Sequence, residues 1–151
     1  MRDTRGFTLI ELMVTIAILA IAISLAAPSF SSMLRDNRIA TISSELQAAL
    51  QFARSEAIKR RLNVVVCRRN ALGTACENGT DWGAGWLVQQ SGGDVIKVWD
   101  SVQDSAITGP NAGVTFLGSG LGAASNFSIT QSSCTGKQKR TLAVSVTGNT
   151  T

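Results

Sequence analysis

At 151 residues, 44% of them hydrophobic, the chain is long enough for one domain with a real core and too short for two comfortable ones. A formal charge of +4, with only 16% of residues charged, permits an acidic partner such as nucleic acid or anionic lipid without demanding one. The sequence has no His, which removes the commonest acid–base side chain and the usual Ser–His and Cys–His pairs.

The chain begins MRDTRG, a short polar leader carrying Arg2 and Arg5. Residues 7–30 then read FTLIELMVTIAILAIAISLAAPSF. Between Leu12 and Ala27 there is no charge, and only Thr15 and Ser24 are polar. As helix those residues cover roughly 24 Å, and with residues 7–10 added they can span a bilayer of about 30 Å. A secretory signal peptide has a shorter apolar core followed by a small-residue cleavage site. Ala26-Ala27-Pro28 imitates such a site only weakly, and the apolar run continues into a helical pattern, as a retained anchor would.

Glu11 argues against a plain anchor. A carboxylate deep in lipid costs on the order of 2.5 kcal/mol or more, so such a residue usually has a partner. No cation follows it in the span, so the partner should come from another chain. The simplest candidate is a charged α-amine, which requires cleavage to expose a new N-terminus at Phe7.

The stretch GFTLIELMVTIAILAI, residues 6–21, resembles the N-terminal signature of type IV prepilins and type II secretion pseudopilins. The resemblance implies cleavage between Gly6 and Phe7 by a prepilin peptidase and N-methylation of Phe7. It also implies that Glu11 pairs with a neighbouring subunit's N-terminal amine during assembly. The implied location is the bacterial inner membrane, single-pass with the head in the periplasm, and then an assembled pilus or pseudopilus.

Pro28 removes a backbone donor and is expected to kink or loosen the helix. Beyond it Ile42, Leu46, Ala49, Leu50, Ala53 and Ala57 recur at spacings of three and four, one apolar stripe of an amphipathic helix. Arg35, Asp36, Arg38, Glu45, Arg54 and Glu56 fall largely off that stripe. Helix over residues 7–61 would be about 80 Å long. A small domain cannot bury that length, so the first half needs lipid or other subunits. The run LQAALQFARSEAIKRRLNVVVCRR, residues 46–69, and WGAGWLV, residues 82–88, narrow the resemblance to the GspH/FimT family of minor pilins and pseudopilins, of FimT/FimU type. The partners this implies are other minor and major pilins.

From Leu62 the period changes from helix to strand. Strands are expected at residues 63–68, 85–90, 95–100, 113–117, 126–131 and 140–146, with Ser91-Gly92-Gly93-Asp94 as a hairpin turn. The fold class is therefore α+β, pilin-like: a long N-terminal helix, membrane-spanning then amphipathic, packed on an antiparallel β-sheet head. The expected divisions are a leader at 1–6, an assembly helix half at 7–28, an amphipathic half at 29–61 and a β-rich head at 62–151. Trp82, Trp86 and Trp99 are expected to pack in the core or the hairpin rather than form a ligand platform.

The implied oxidising compartment favours disulfides. Three cysteines allow three single pairings. Cys67 and Cys76 flank a short Gly-containing loop that suits a bridge, leaving Cys134 free or paired elsewhere. No CxxC and no His supports a metal site. Gly136-Lys137 matches the end of a phosphate-binding loop, but Gln131 stands where its first Gly belongs. No cofactor, metal or catalytic residue is expected, and the chain reads as a non-enzyme.

The positive charge gathers in three clusters: Lys59-Arg60-Arg61, Arg68-Arg69 and Lys137-Lys139-Arg140. The plain reading is solvated surface, with the first cluster as favourable cations at a helix C-terminus. The sharper reading is sequence-independent contact with phosphates of extracellular DNA. Some FimT-like proteins are DNA receptors with an arginine-bearing C-terminal segment. This chain ends VTGNTT, without arginine, so residues 137–140 would have to substitute. The leading expectation is a subunit acting in pilus assembly and priming. A DNA-binding pilin for natural transformation and a type II secretion pseudopilin are the alternatives.

Overall fold

The computed structural model describes residues 7–131 and 139–151, without the side chains of residues 26–29. The chain divides into two compact units, Met1–Asp36 and Asn37–Thr151. One helix, α1, spans Leu9–Arg60, 52 residues. The helix continues through Pro28, where a kink or a loosened turn was expected.

The helix ends for a reason the sequence hides. Arg61 adopts φ 56°, and the Leu62 N–H donates to the Ala57 carbonyl at 3.3 Å while the Arg61 N–H donates to Ile58 at 3.3 Å. That is the paired bonding of a Schellman cap, with arginine in the left-handed position glycine normally takes.

In the first unit the large apolar side chains that the structure describes lie open. Phe7, Leu9, Leu12, Ile16, Leu19, Ile23 and Leu25 are all exposed. The helix is long and apolar enough to cross a membrane, and none of that span is buried.

In the second unit the stripe does what its spacing requires. Ile42, Leu46, Ala49, Leu50, Ala53 and Ala57 are buried, and Ile39 extends the stripe one turn earlier. Glu56 corrects the sequence reading: expected off the stripe, it is only 8% exposed. It lies three residues beyond Ala53, on the stripe's flank, where a carboxylate is tolerated only if paired. Arg60 Nε donates to it at 2.7 Å and Lys59 Nζ lies at 3.7 Å. The Arg60 hydrogen bond, aided by both cations, holds its carboxyl below the usual range despite desolvation.

The strands are β1 (Val64–Arg68), β2 (Trp86–Gln90), β3 (Val95–Trp99), β4 (Ser105–Thr108), β5 (Val114–Phe116), β6 (Ser125–Gln131) and β7 (Arg140–Val144). They form two antiparallel sheets rather than one, ordered β3-β2-β1-β5 and β4-β6-β7. The expected hairpin joins β2 to β3, with Gly92 at φ 71° and Gln90 N–H donating to Asp94 O at 3.1 Å. Strand β4 was not foreseen because its four residues carry one large apolar side chain, Ile107, too few to show alternation. The last strand stops at Val144 rather than Val146, because Ser145 bonds Asn149 across a tight turn.

Alternation places Val64 and Val66 of β1, Phe127 and Ile129 of β6, and Leu142 and Val144 of β7 in one core with the helix stripe. Burying each of these side chains contributes about 1.5–3 kcal/mol. Trp82 and Trp86 are fully buried, and Trp86 stacks on Trp99 at 6.4 Å, so all three tryptophans serve packing.

Candidate functional site

The start of α1 is a capping box that the sequence already spelled. Thr8 precedes the first helical residue, and Glu11 follows three positions later. The Thr8 N–H and its hydroxyl both donate to Glu11 Oε2 at 3.3 Å, and the Glu11 N–H donates to the Thr8 hydroxyl at 3.3 Å. Reading Glu11 only as a lipid-buried charge missed this role, although Thr-x-x-Glu before an apolar run was legible. Capping uses one carboxylate oxygen. Among the described residues no bond engages Oε1, so the group retains acceptor capacity for a cation from outside. Phe7, just ahead of the cap, is 82% exposed; Gly6 lies outside the described residues.

Cys67 and Cys76 are joined by a disulfide with Cα atoms 5.5 Å apart. Cys134 lies outside the described residues. Within the closed loop, Asn70 Oδ1 accepts from the Thr74 N–H at 2.9 Å, and Arg69 and Cys76 form a β-bridge.

Several of the basic residues are engaged internally. Arg60 pairs with Glu56. Arg68 Nη1 lies 3.3 Å from Glu77 and donates to Asn78 O at 3.4 Å. Arg69 Nε donates to Ala84 O at 2.8 Å, while its Nη1 pairs with Asp100 at 3.1 Å. These two arginines brace the disulfide loop. Arg61, Lys139 and Arg140 are exposed, and none has an ion-pair partner among the described residues. Lys137 lies outside them. No hydrogen bond or ion pair links one basic cluster to another among the described residues.

The C-terminal segment is folded against the helix. Arg54 Nε donates to Gly120 O at 3.0 Å and its Nη1 donates to Asn149 Oδ1 at 3.0 Å. Ala143 and Thr151 exchange both backbone bonds. Gly148, at φ 77°, approaches so closely that a Cβ there would sit 2.4 Å from Gly120 O. No local sequence signal announces these contacts, because Arg54 and Asn149 are 95 positions apart. No cluster of metal-ligating side chains exists among the described residues.

A long helix whose apolar first half is unburied, followed by a β-rich head built on its second half, defines the type IV pilin-like class. The chain matches the family described as Type II transport protein GspH over residues 43–149, and the prokaryotic N-terminal methylation motif over residues 1–27. The chain belongs to the GspH/FimT family, whose fold is that of structural pilins and not of enzymes. Two crystal structures of the type IV minor pilin FimU of Pseudomonas aeruginosa PAO1 are similar to it. One superposes with a TM-score of 0.58 at 25% identity, covering 74% of this chain and 89% of that one. The other gives 0.61 at 25% identity, covering 76% and 87%. No curated protein sequence matches the chain.

Proposed function

We propose that this chain is a minor type IV pilin that takes part in assembling and priming a pilus. A prepilin peptidase cuts between Gly6 and Phe7, and Phe7 is then N-methylated. The apolar half of α1 holds the subunit in the inner membrane with its head in the periplasm, until that half is packed among other minor and major pilins. One observation carries this reading: an unburied apolar helix half opening on a carboxylate with one oxygen still available. Lipid or neighbouring helices must cover the apolar surface, and a neighbour's N-terminal amine is the cation that suits Glu11.

The capping box gives the test its resolution. Glutamine at the third helical position caps as glutamate does but carries no charge. Glu11→Gln is therefore expected to lower incorporation into sheared filaments severalfold, much as Glu11→Ala does, with total protein unchanged. Normal incorporation of the Gln variant would mean that Glu11 acts only as a cap.

A second reading, DNA capture for natural transformation, rests on exposed Lys139 and Arg140 at the start of β7. Full-length protein in detergent should then bind duplex DNA with affinity that falls as salt rises. Charge reversal at Lys137, Lys139 and Arg140 should abolish most of that binding; equal binding by the variant would clear this cluster of the role. A place in type II secretion is the third reading, supported by the match of residues 43–149 to a type II transport family.

A further inference from the structure

A cleft of about 780 Å³ lies on the β4 side of the head, within the size range of small-ligand sites. Backbone bonds fix its walls. The Trp82 N–H donates to Ile107 O at 2.8 Å and the Gly109 N–H to Thr80 O at 2.9 Å, which lays residues 80–82 along β4. The Val102 N–H donates to Gly83 O at 3.0 Å, which ties the loop before β4 to the same segment. The register of β4 on β6 sets Thr130 opposite Ala106 and completes the floor.

Gly83 keeps the cleft open. A Cβ there would lie 3.1 Å from Asp81 Oδ1 and 3.5 Å from Ser105 O. Its φ is not left-handed, so room rather than backbone conformation calls for glycine. Two acceptors therefore converge on the space a side chain would fill. Asp81 Oδ1 takes the Gly83 N–H at 2.9 Å, and no bond engages Oδ2 among the described residues. The Asp104 carboxylate, 70% exposed, meets Arg38 at 3.6 Å through one oxygen. The Ser105 hydroxyl is shielded from bulk water and has no partner among the described residues, a position that calls for an ordered water or a ligand hydroxyl. Thr80 and Thr108 add exposed hydroxyls at the rim.

This lining selects by chemistry. No Lys or Arg lines the cleft, so nothing in it neutralises a phosphate or a carboxylate. Its accessible apolar surface comes from Val102 and Ala106, while Ile107 is 1% exposed, which is too little for a lipid tail or an aromatic ring. A fitting ligand brings several hydroxyl donors to carboxylate and carbonyl acceptors and lays C–H groups on a small apolar patch. We propose that this cleft binds a neutral saccharide, a disaccharide unit in size. The inference goes beyond the pilin reading and does not depend on it, because every residue of the cleft lies in the β-rich part of the head.

The test uses the full-length chain in a detergent without a sugar head group, since a maltoside would compete. Cellobiose, lactose and mannobiose are titrated by calorimetry and by amide chemical shifts. At least one should bind in the millimolar range, with shifts confined to residues 80–83, 102–108 and 130–131. Gly83→Ala, which fills the space between the two acceptors, and Asp81→Asn, which removes the charge but can still accept from Gly83, should each weaken binding about tenfold, the scale of one hydrogen bond to a charged group. Melting temperatures within a few degrees of the parent's would show that the loss is not unfolding, and Asp81→Asn decides the matter if Gly83→Ala fails to fold. Glucuronate and putrescine serve as charged probes. No binding by any of the three disaccharides, shifts centred elsewhere, or full affinity in both variants would overturn the proposal. So would glucuronate binding as tightly as the sugars, or putrescine binding more tightly, which would make the cleft a charge-selecting site instead.

Discussion

Trp82→Ala is expected to lower the stability of the head by about 4 kcal/mol, read as a shift of the urea midpoint at unchanged m-value. Trp82 lies outside every strand yet is completely buried. Its ring meets Phe127 of β6 edge-on at a centroid distance of 4.9 Å. Its indole N–H donates to Pro110 O at 3.2 Å, and its backbone N–H donates to Ile107 O of β4 at 2.8 Å. Gly109 makes the room: a Cβ there would lie 2.7 Å from the Phe127 ring and 2.9 Å from Trp82 Nε1. Alanine would leave a cavity between the two rings and strip Pro110 of its donor, so the transfer and hydrogen-bond losses add. Trp82→Phe should cost less than Trp82→Ala, since it restores a ring but not the donor. Trp82→Ala with a loss below about 1 kcal/mol would show that the site collapses around the smaller residue.

The tryptophan also shows where sequence reading succeeds. Its packing role, like that of Trp86 and Trp99, was expected from residue type. The helix stripe and six strands were legible because each rests on local signals, a 3.6-residue period, β-rich runs and Gly-containing turns, that neighbouring residues reveal. What was missed depends on distant residues or on single exceptions to a rule. Strand β4 shows no alternation of its own; it is held by pairing to β6, from Ser105 opposite Gln131 to Thr108 opposite Ser128. The second sheet follows from that pairing, so it too was invisible. Arg54 reads as an ordinary off-stripe cation until Gly120 and Asn149 arrive to accept from it. Arg61 ends α1 in a conformation no arginine advertises. For the candidate site, the signature around Glu11 was plain in the sequence, while its cap was overlooked because attention went to the charge. Arg68 and Arg69 form a basic pair in the sequence, and only the folded loop shows how many of their donors are engaged at home.

That loop sets up the second large effect. Replacing both Cys67 and Cys76 with alanine is expected to cost about 2.5 kcal/mol, the chain-entropy value for a loop closed between positions nine apart. The melting temperature should fall by on the order of 10 °C for a head of this size. Both cysteines must change together, because a single replacement leaves a thiol that the oxidising compartment can couple to Cys134. Alanine is preferable to serine at position 67: Cys67 is 2% exposed on β1 opposite Leu87, and a hydroxyl there would need a partner. The damage should stay local. Arg69 still reaches Ala84 and Asp100, Arg68 still reaches Glu77, and β1 stays paired with β2 along its whole length. The expected signature is faster proteolysis within residues 70–76 at temperatures where the core is intact. A variant as stable as the parent would place the loop's order in the Asn70 and Arg69 bonds instead. If filament entry survives the loss of the bridge, the requirement for Glu11 can be measured in a chain whose head is weakened but whose helix start is untouched.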